Sequence, residues 1–203
     1  MRRYGQWLAI CVLSFNLSAC YYYEVDEGKL YRSSQPSADD LEKAAQAGIK
    51  TVINLRGASP GADWYEAEKA VTSAHGLLQI DIGMSAGRLP HRSDLIKLLD
   101  AFATAPRPIL VHCKAGVDRT GEATAIYQML YMNKTKEESL KMLSEKFGYF
   151  EANKPAKIYF IRDLWQGEQW AREEYKPCSG EYKFYDTNNI ECQGENPGED
   201  DDT

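Results

Sequence analysis

The stretch Val111-His112-Cys113-Lys114-Ala115-Gly116-Val117-Asp118-Arg119-Thr120-Gly121 decides how this chain is read. Just upstream, Ile109-Leu110-Val111 is a short apolar run fit for a buried strand, and residues 120–132 keep the apolar spacing of a helix. A strand that becomes a helix through a loop with glycine at its centre sends several backbone N–H groups toward one point, where the helix dipole adds positive potential. Such a loop, here Lys114, Ala115, Gly116, Val117, Asp118 and Arg119, is a cradle for an oxyanion. Gly116 lets the backbone fold inward. Arg119, at the helix start, offers a planar fork that grips two oxygens at once, which a lysine could not do.

Outward from this loop the chain alternates between two periodicities. Residues 21–25 and 29–32 read as short strands about a turn at Glu27-Gly28. Ser37 can cap a helix, with Asp40 completing the cap, Leu41, Ala44 and Ala45 on one face, and Gly48 ending it. The β-branched run 51–55 is a strand, 63–75 a helix stopped by Gly76, and 77–82 another strand. Ser93 is expected to cap a helix over 94–103, after which Pro106 and Pro108 break the chain. Further helices are expected over 136–147 and 155–172. The alternation predicts an α/β fold: a central, mostly parallel twisted sheet with helices on both faces.

At 203 residues the chain suits one domain. Its mean hydropathy of -0.52 excludes a polytopic membrane protein. Only the start differs: Arg2-Arg3, an apolar run over 7–17, then small residues up to Cys20, the layout of a secretory signal. About ten helical residues cover about 15 Å, half of a bilayer's apolar core. Leu17-Ser18-Ala19-Cys20 resembles the bacterial lipoprotein box, which implies lipid on Cys20 and attachment to a membrane through it. Loss of residues 1–19 leaves 22 basic against 30 acidic side chains, and that sign argues against nucleic acid as a partner. Cys11 leaves with the signal. Cys178 and Cys192 remain as an even pair 14 apart in a chain expected to reach an oxidising compartment, so a disulfide is the economical reading, two free thiols the alternative. From Glu173 onward periodicity is lost, and the chain finishes Asp200-Asp201-Asp202-Thr203, an acidic end without packing signals.

The field that holds an oxyanion also acts on Cys113. Thiols at helix N-termini ionise more readily than free ones, so Cys113 is expected to rest as a thiolate. It can then attack phosphorus, and a phosphocysteine would split hydrolysis into two displacements. Thr120 is placed to donate to the sulfur, and His112 to orient the loop by hydrogen bonding. Two carboxylates compete as general acid: Asp118 inside the loop, favoured for its reach, and Asp81 at a strand end. Lys114 is either a solvated side chain or a contact for additional phosphate. His75 and His91 show no ligand spacing and read as surface residues.

The run from His112 to Gly121 resembles the signature loop of the cysteine-dependent protein tyrosine and dual-specificity phosphatases. Leu30-Tyr31-Arg32-Ser33-Ser34-Gln35-Pro36 and Gly48-Ile49-Lys50-Thr51-Val52-Ile53-Asn54-Leu55-Arg56 are similar to the bacterial and atypical members. The resemblance implies phosphomonoester hydrolysis with no metal and no cofactor, by Cys113 as nucleophile and Arg119 as phosphate ligand. Phosphorylated protein is the expected substrate. The Lys114 position, similar to that of tensin-homologue phosphatases, keeps inositol phosphates and phosphoinositides as the alternative. The loop where such enzymes usually carry their acid, residues 83–90 here, has no Asp, and myotubularin-like enzymes resemble this chain in placing Asp where Asp118 stands. A binding module without turnover is the alternative of another class. The expected organisation is a signal over 1–19, an anchor or linker over 20–28, a phosphatase domain over 29–172 and a tail over 173–203, in an exported lipoprotein on the periplasmic or cell-surface side of a membrane.

Overall fold

The computed structural model describes residues 22–185 and Cys192; the signal segment, the lipidation candidate Cys20 and the acidic end lie outside the described residues. Five strands form one sheet: β1 (Tyr23–Asp26), β2 (Leu30–Ser33), β3 (Thr51–Asn54), β4 (Leu78–Asp81) and β5 (Ile109–His112), in the order β1-β2-β5-β3-β4. β1 runs antiparallel to β2 and every other pair is parallel.

Strand side chains alternate between two cores. Leu30, Ile53, Ile109 and Val111 join a larger cluster with Leu98, Phe102, Ile126 and Phe160. Tyr31, Val52 and Leu110 face the other way, onto Leu41, Ala44 and Val71. Helices α1 (Ala38–Gln46) and α2 (Asp63–Ala74) therefore cover one face; α3 (Arg92–Thr104) and α4 (Asp118–Tyr131) cover the other. Ser33 and Asn54 stand level with His112, so β2, β3 and β5 end together and the loop after β5 leaves from that edge.

The expected caps hold at Ser37, whose hydroxyl accepts from Asp40 N at 3.2 Å. At α3 the helix starts earlier, at Arg92, and His91 rather than Ser93 is the N-cap. The helix expected over 136–147 is broken into α5 (Lys136–Ser139) and two single 3-10 turns. Two contacts explain the break. The Met142 carbonyl accepts from Arg32 Nη1 at 2.9 Å instead of continuing a helical ladder, and Leu143 fills the space at Gly121, where a Cβ would lie 2.6 Å from Leu143 Cδ2.

The expected helix over 155–172 is divided as well. α6 (Pro155–Tyr159) runs into a π turn, Trp165 is extended, Gly167 has φ +111°, and α7 (Glu168–Glu173) follows. The break lets Trp165, Trp170 and Tyr175 stack around Phe160, with ring centroids 5.6–6.3 Å from it. Burial of that aromatic area outweighs two turns of uninterrupted helix.

Packing also continues beyond the expected domain boundary at Arg172. Tyr175 is fully buried and donates to the Pro90 carbonyl at 2.8 Å, and Leu89 N donates to the Phe184 carbonyl at 3.0 Å. His91, read as a surface residue, is half-buried, its Nδ1 2.6 Å from the Tyr185 hydroxyl. Cys178 and Cys192 are joined, S–S 2.04 Å.

Candidate active site

Cys113 directly follows β5 and is 2% exposed. The loop after it turns at Gly116, φ +71°, against the strand end of β2. A Cβ on Gly116 would lie 2.6–2.7 Å from the backbone of Ser33 and Ser34, so no other residue fits. Two loop carbonyls are drawn outward: Gly116 O accepts from Arg32 Nη2 at 2.7 Å, and Lys114 O accepts from Gln35 N at 3.2 Å. In a trans peptide, C=O and the following N–H point opposite ways, so these contacts turn the N–H groups of Val117 and Ala115 inward. Among the described residues, the N–H groups of residues 114–117 donate to no protein acceptor. Four loop N–H groups are thus without a protein acceptor, and those of Ala115 and Val117 point away from Arg32 and Gln35.

Arg119 closes the cradle. Nη1 donates to Leu55 O at 3.2 Å and reaches Met84 O at 3.5 Å, which pins the guanidinium between the loops after β3 and β4. Its Nε is buried without a protein partner, as is Thr120 Oγ1, which therefore does not make the hydrogen bond to the Cys113 sulfur expected from the sequence. Two further guanidiniums lie close to the site. Arg32 is 2% exposed and lies 4.0 Å over the Phe147 ring; burial pulls its pKa down to about 10, and Cys113 opposes that. Arg56 lies 3.3 Å over Trp64 and donates to Gln35 Oε1 at 2.8 Å; burial lowers its pKa, with Arg119 as a like charge nearby.

His112 supports the loop from beneath. Its Nε2 stands 3.1 Å from Glu68 Oε2, both side chains fully enclosed, and Nδ1 is 3.5 Å from Cys113 O. Glu68 is held in turn by Gln35 Nε2 at 2.6 Å and Gln79 Nε2 at 3.2 Å. Lys114 and Ala115 are exposed at the outer rim.

The two acid candidates differ in engagement. Asp81 accepts from Tyr65 Oη at 2.6 Å, Asn54 Nδ2 at 2.8 Å and Gln79 Nε2 at 3.2 Å, so both its oxygens are occupied. Asp118 is the first residue of α4, partly exposed, and among the described residues its carboxylate has no hydrogen bond or ion pair. The Asp118 carboxyl has no protein donor, whereas that of Asp81 is committed to three. Among the described residues, no group of three or more His, Cys, Asp or Glu is placed to hold a metal.

Sequence reading passed over the supports: Arg32, Gln35, Arg56, Glu68 and the Glu122–Lys157 pair. Lys157 Nζ, enclosed, lies 2.8 Å from Glu122 Oε2 and donates to Arg88 O at 2.7 Å, tying α6 to α4 and to the rim loop after β4. Burial raises the Glu122 pKa, and Lys157 opposes the rise. A signal was present in the lone charge of each apolar run, Arg32 after Leu30-Tyr31 and Glu122 inside Thr120 to Tyr127.

A buried cysteine at the base of a strand–loop–helix anion cradle, closed by an arginine, defines the cysteine-phosphatase class of site. The model of the family described as "DSP-PTPase phosphatase fused to NAD+ Kinase" matches residues 16–162, more than half of the chain, and the chain belongs to that family. The chain is 32% identical over 90 residues to a "Beta-lactamase hydrolase-like protein" of Xylella fastidiosa, covering 43% of this chain and 21% of that protein. It is 26% identical over 156 residues to "Tyrosine-protein phosphatase yvh1" of Schizosaccharomyces pombe, covering 72% of this chain and 46% of that one. The chain therefore spans less than half the length of either relative. Its fold is that of P. aeruginosa TpbA, solved with pTyr (TM-score 0.58, 22% identity, 76% of this chain and 89% of the other). It is shared by the catalytic core of the PP-IP phosphatase SIW14 of S. cerevisiae (TM-score 0.61, 22% identity, 75% and 90%).

Proposed function

We propose that this chain hydrolyses phosphomonoesters of the protein tyrosine and dual-specificity type through a phosphocysteine on Cys113. One observation carries the reading: the N–H groups of residues 114–117, the Arg119 Nε and the Thr120 hydroxyl all lack protein partners in the loop and helix start that follow the buried Cys113. In the first step the Cys113 thiolate attacks phosphorus, the P–O bond to the leaving group breaks, and Asp118 gives its proton to the departing oxygen. The loop amides and Arg119 hold the three equatorial oxygens. In the second step water attacks the phosphocysteine, Asp118 takes a proton from the water, the S–P bond breaks and the sulfur leaves as a thiolate. The decisive assay is turnover of an aryl phosphate between about pH 5 and 7, without metal, beside Cys113→Ser. Equal rates would end the enzymatic reading in favour of a binding module.

Phosphoprotein is the favoured substrate, in line with the activity named for yvh1 and the pTyr bound to TpbA. Inositol phosphate is the second reading, supported by the exposed Lys114 beside the nucleophile and the substrate named for SIW14. Side-by-side rates on phosphotyrosine peptides and inositol polyphosphates separate the two.

The Leu17–Cys20 box and the bonded pair Cys178–Cys192 support export, with lipid on Cys20 holding the domain to a membrane on the periplasmic or cell-surface side. Among the described residues no helix is long and apolar enough to cross a membrane. The mass of Cys20 peptides from membrane-extracted protein tests this, an unmodified cysteine refuting it.

A further inference from the structure

β1 gives the molecule a direction. Tyr23 pairs with Arg32, and the next residue, Ser33, stands level with His112. The chain thus enters the sheet at the edge from which the catalytic loop leaves. Cys20 is three residues before Tyr23, a reach of at most about 11 Å of extended chain. Acyl chains there would hold this edge against a bilayer, a step that rests on the anchoring reading above.

Beside Tyr23 lies a groove of about 400 Å³ lined by Lys134, Lys141 and Lys146, with Tyr23, Met142 and Phe147 among its walls. Lys146 Nζ stands 4.4 Å over the Tyr23 ring and 5.3 Å from the Phe147 ring centre. Lys141 and Lys146 have no ion pair among the described residues, and Glu138, 3.5 Å from Lys134 Nζ, is the one acid lining the groove. An acidic chain with cations and aromatic rings gathered at one edge has one face that an anionic bilayer attracts while the rest is repelled. Tyr23, an exposed aromatic ring beside lysines, is also the kind of side chain that settles at a membrane interface.

We propose that Lys134, Lys141 and Lys146, with Tyr23 and Phe147, seat anionic lipid headgroups and turn the catalytic mouth toward the membrane. The walls of the groove pack against the outer side of the catalytic loop. Arg32 stacks on Phe147 and bonds both Met142 O and Gly116 O, and a Cβ on Gly148 would lie 3.7 Å from Val117 Cγ2.

The test uses the chain from residue 20 onward, which contains every described element, carrying Cys20→Ser so that no acyl group contributes. It should pellet with vesicles of phosphatidylglycerol and phosphatidylcholine and stay in solution with phosphatidylcholine alone. Each of Lys134→Ala, Lys141→Ala and Lys146→Ala should lower the partition about fivefold, with hydrolysis of a soluble aryl phosphate unchanged. Equal pelleting on the two vesicle types, or full binding by the triple variant, would overturn the proposal. Release by millimolar glycerol phosphate at constant ionic strength would assign the groove to free phosphate and overturn it too. Because the acyl group is absent, these outcomes are independent of whether Cys20 is lipidated.

Discussion

Two loops border the reaction centre, and they are held in different ways. The cradle after β5 is fixed by its own glycine, by the strand end it presses on and by Arg32 and Gln35, all close to the sheet edge. The rim loop after β4 makes three bonds of its own, from Met84 N to Ile82 O and from Gly87 N and Arg88 N to Ser85 Oγ. Otherwise it is carried by distant segments: Arg119 at Met84, Lys157 at Arg88, Phe184 at Leu89 and Tyr175 at Pro90. The cradle positions charge to sub-ångström needs, and its supports come from β2, the strand paired with β5, and the residues just after it. The rim supplies no acid, and its shape is set by whatever packs on it.

The sharpest test of this division asks which side delivers the proton. Asp118→Asn should lower kcat on a poor leaving group about 10²- to 10⁴-fold and remove the basic limb of its pH profile. Asp81→Asn should leave that limb in place, and the reverse pattern would move the acid to the rim.

Next in size is the brace beneath the rim. Lys157→Met leaves Glu122 enclosed without its cation, and denaturant unfolding should show a loss of about 3–5 kcal/mol. The pair Lys157→Met with Glu122→Leu should recover most of it. A double variant no more stable than the single would mean that the bond to Arg88 O, not the ion pair, is what matters.

On the cradle side, Gly116→Ala should cost about 3 kcal/mol and most of the activity, because it adds backbone strain and a collision with Ser33 and Ser34. Gly28, φ +64°, has open space around its missing Cβ, so Gly28→Ala isolates the strain at about 1–2 kcal/mol.

The smallest effect concerns the strand end that precedes the rim. The hydrogen bond to Asp81, then burial, push Tyr65 up to about 12, whereas an unfolded tyrosine titrates near 10. The folded-state pKa is the higher one, so the contribution of Tyr65 is whole below about pH 10 and fades as pH rises to about 12. Tyr65→Phe should cost about 1 kcal/mol at neutral pH and flatten that part of the alkaline decline in stability.

The same contrast governs what could be read from the residues alone. The strand–loop–helix around Cys113 was legible because each position answers to a local requirement: a β-branched run, a glycine at positive φ, a helix start. The sheet, its parallel order and the helices on both faces followed from the alternation of periods. The segments 136–147 and 155–172 carry helical spacing, yet their breaks are dictated from outside, by Arg32 taking a carbonyl and by Trp165, Trp170 and Tyr175 closing around Phe160. Glu68 beneath His112 was equally hidden, since nothing in its helix spacing shows which strand it will meet. Asp81 is an instructive case: its place at a strand end was visible, but its three hydrogen-bond donors come from β3, β4 and α2.

Arg32, sealed between Phe147 and the cradle, has one more implication. A guanidinium locked in the interior cannot swing away, so the dipoles around Cys113 stay aligned between turnovers, and little solvent or backbone reorganisation is left for the reaction itself. The unliganded domain consequently carries an excess of positive potential at its heart, and any tetrahedral dianion relieves it. Inorganic phosphate, the product on the proposed reading, would then act twice over, as a competitor for the site and as a thermal stabiliser whose effect grows with the logarithm of its concentration.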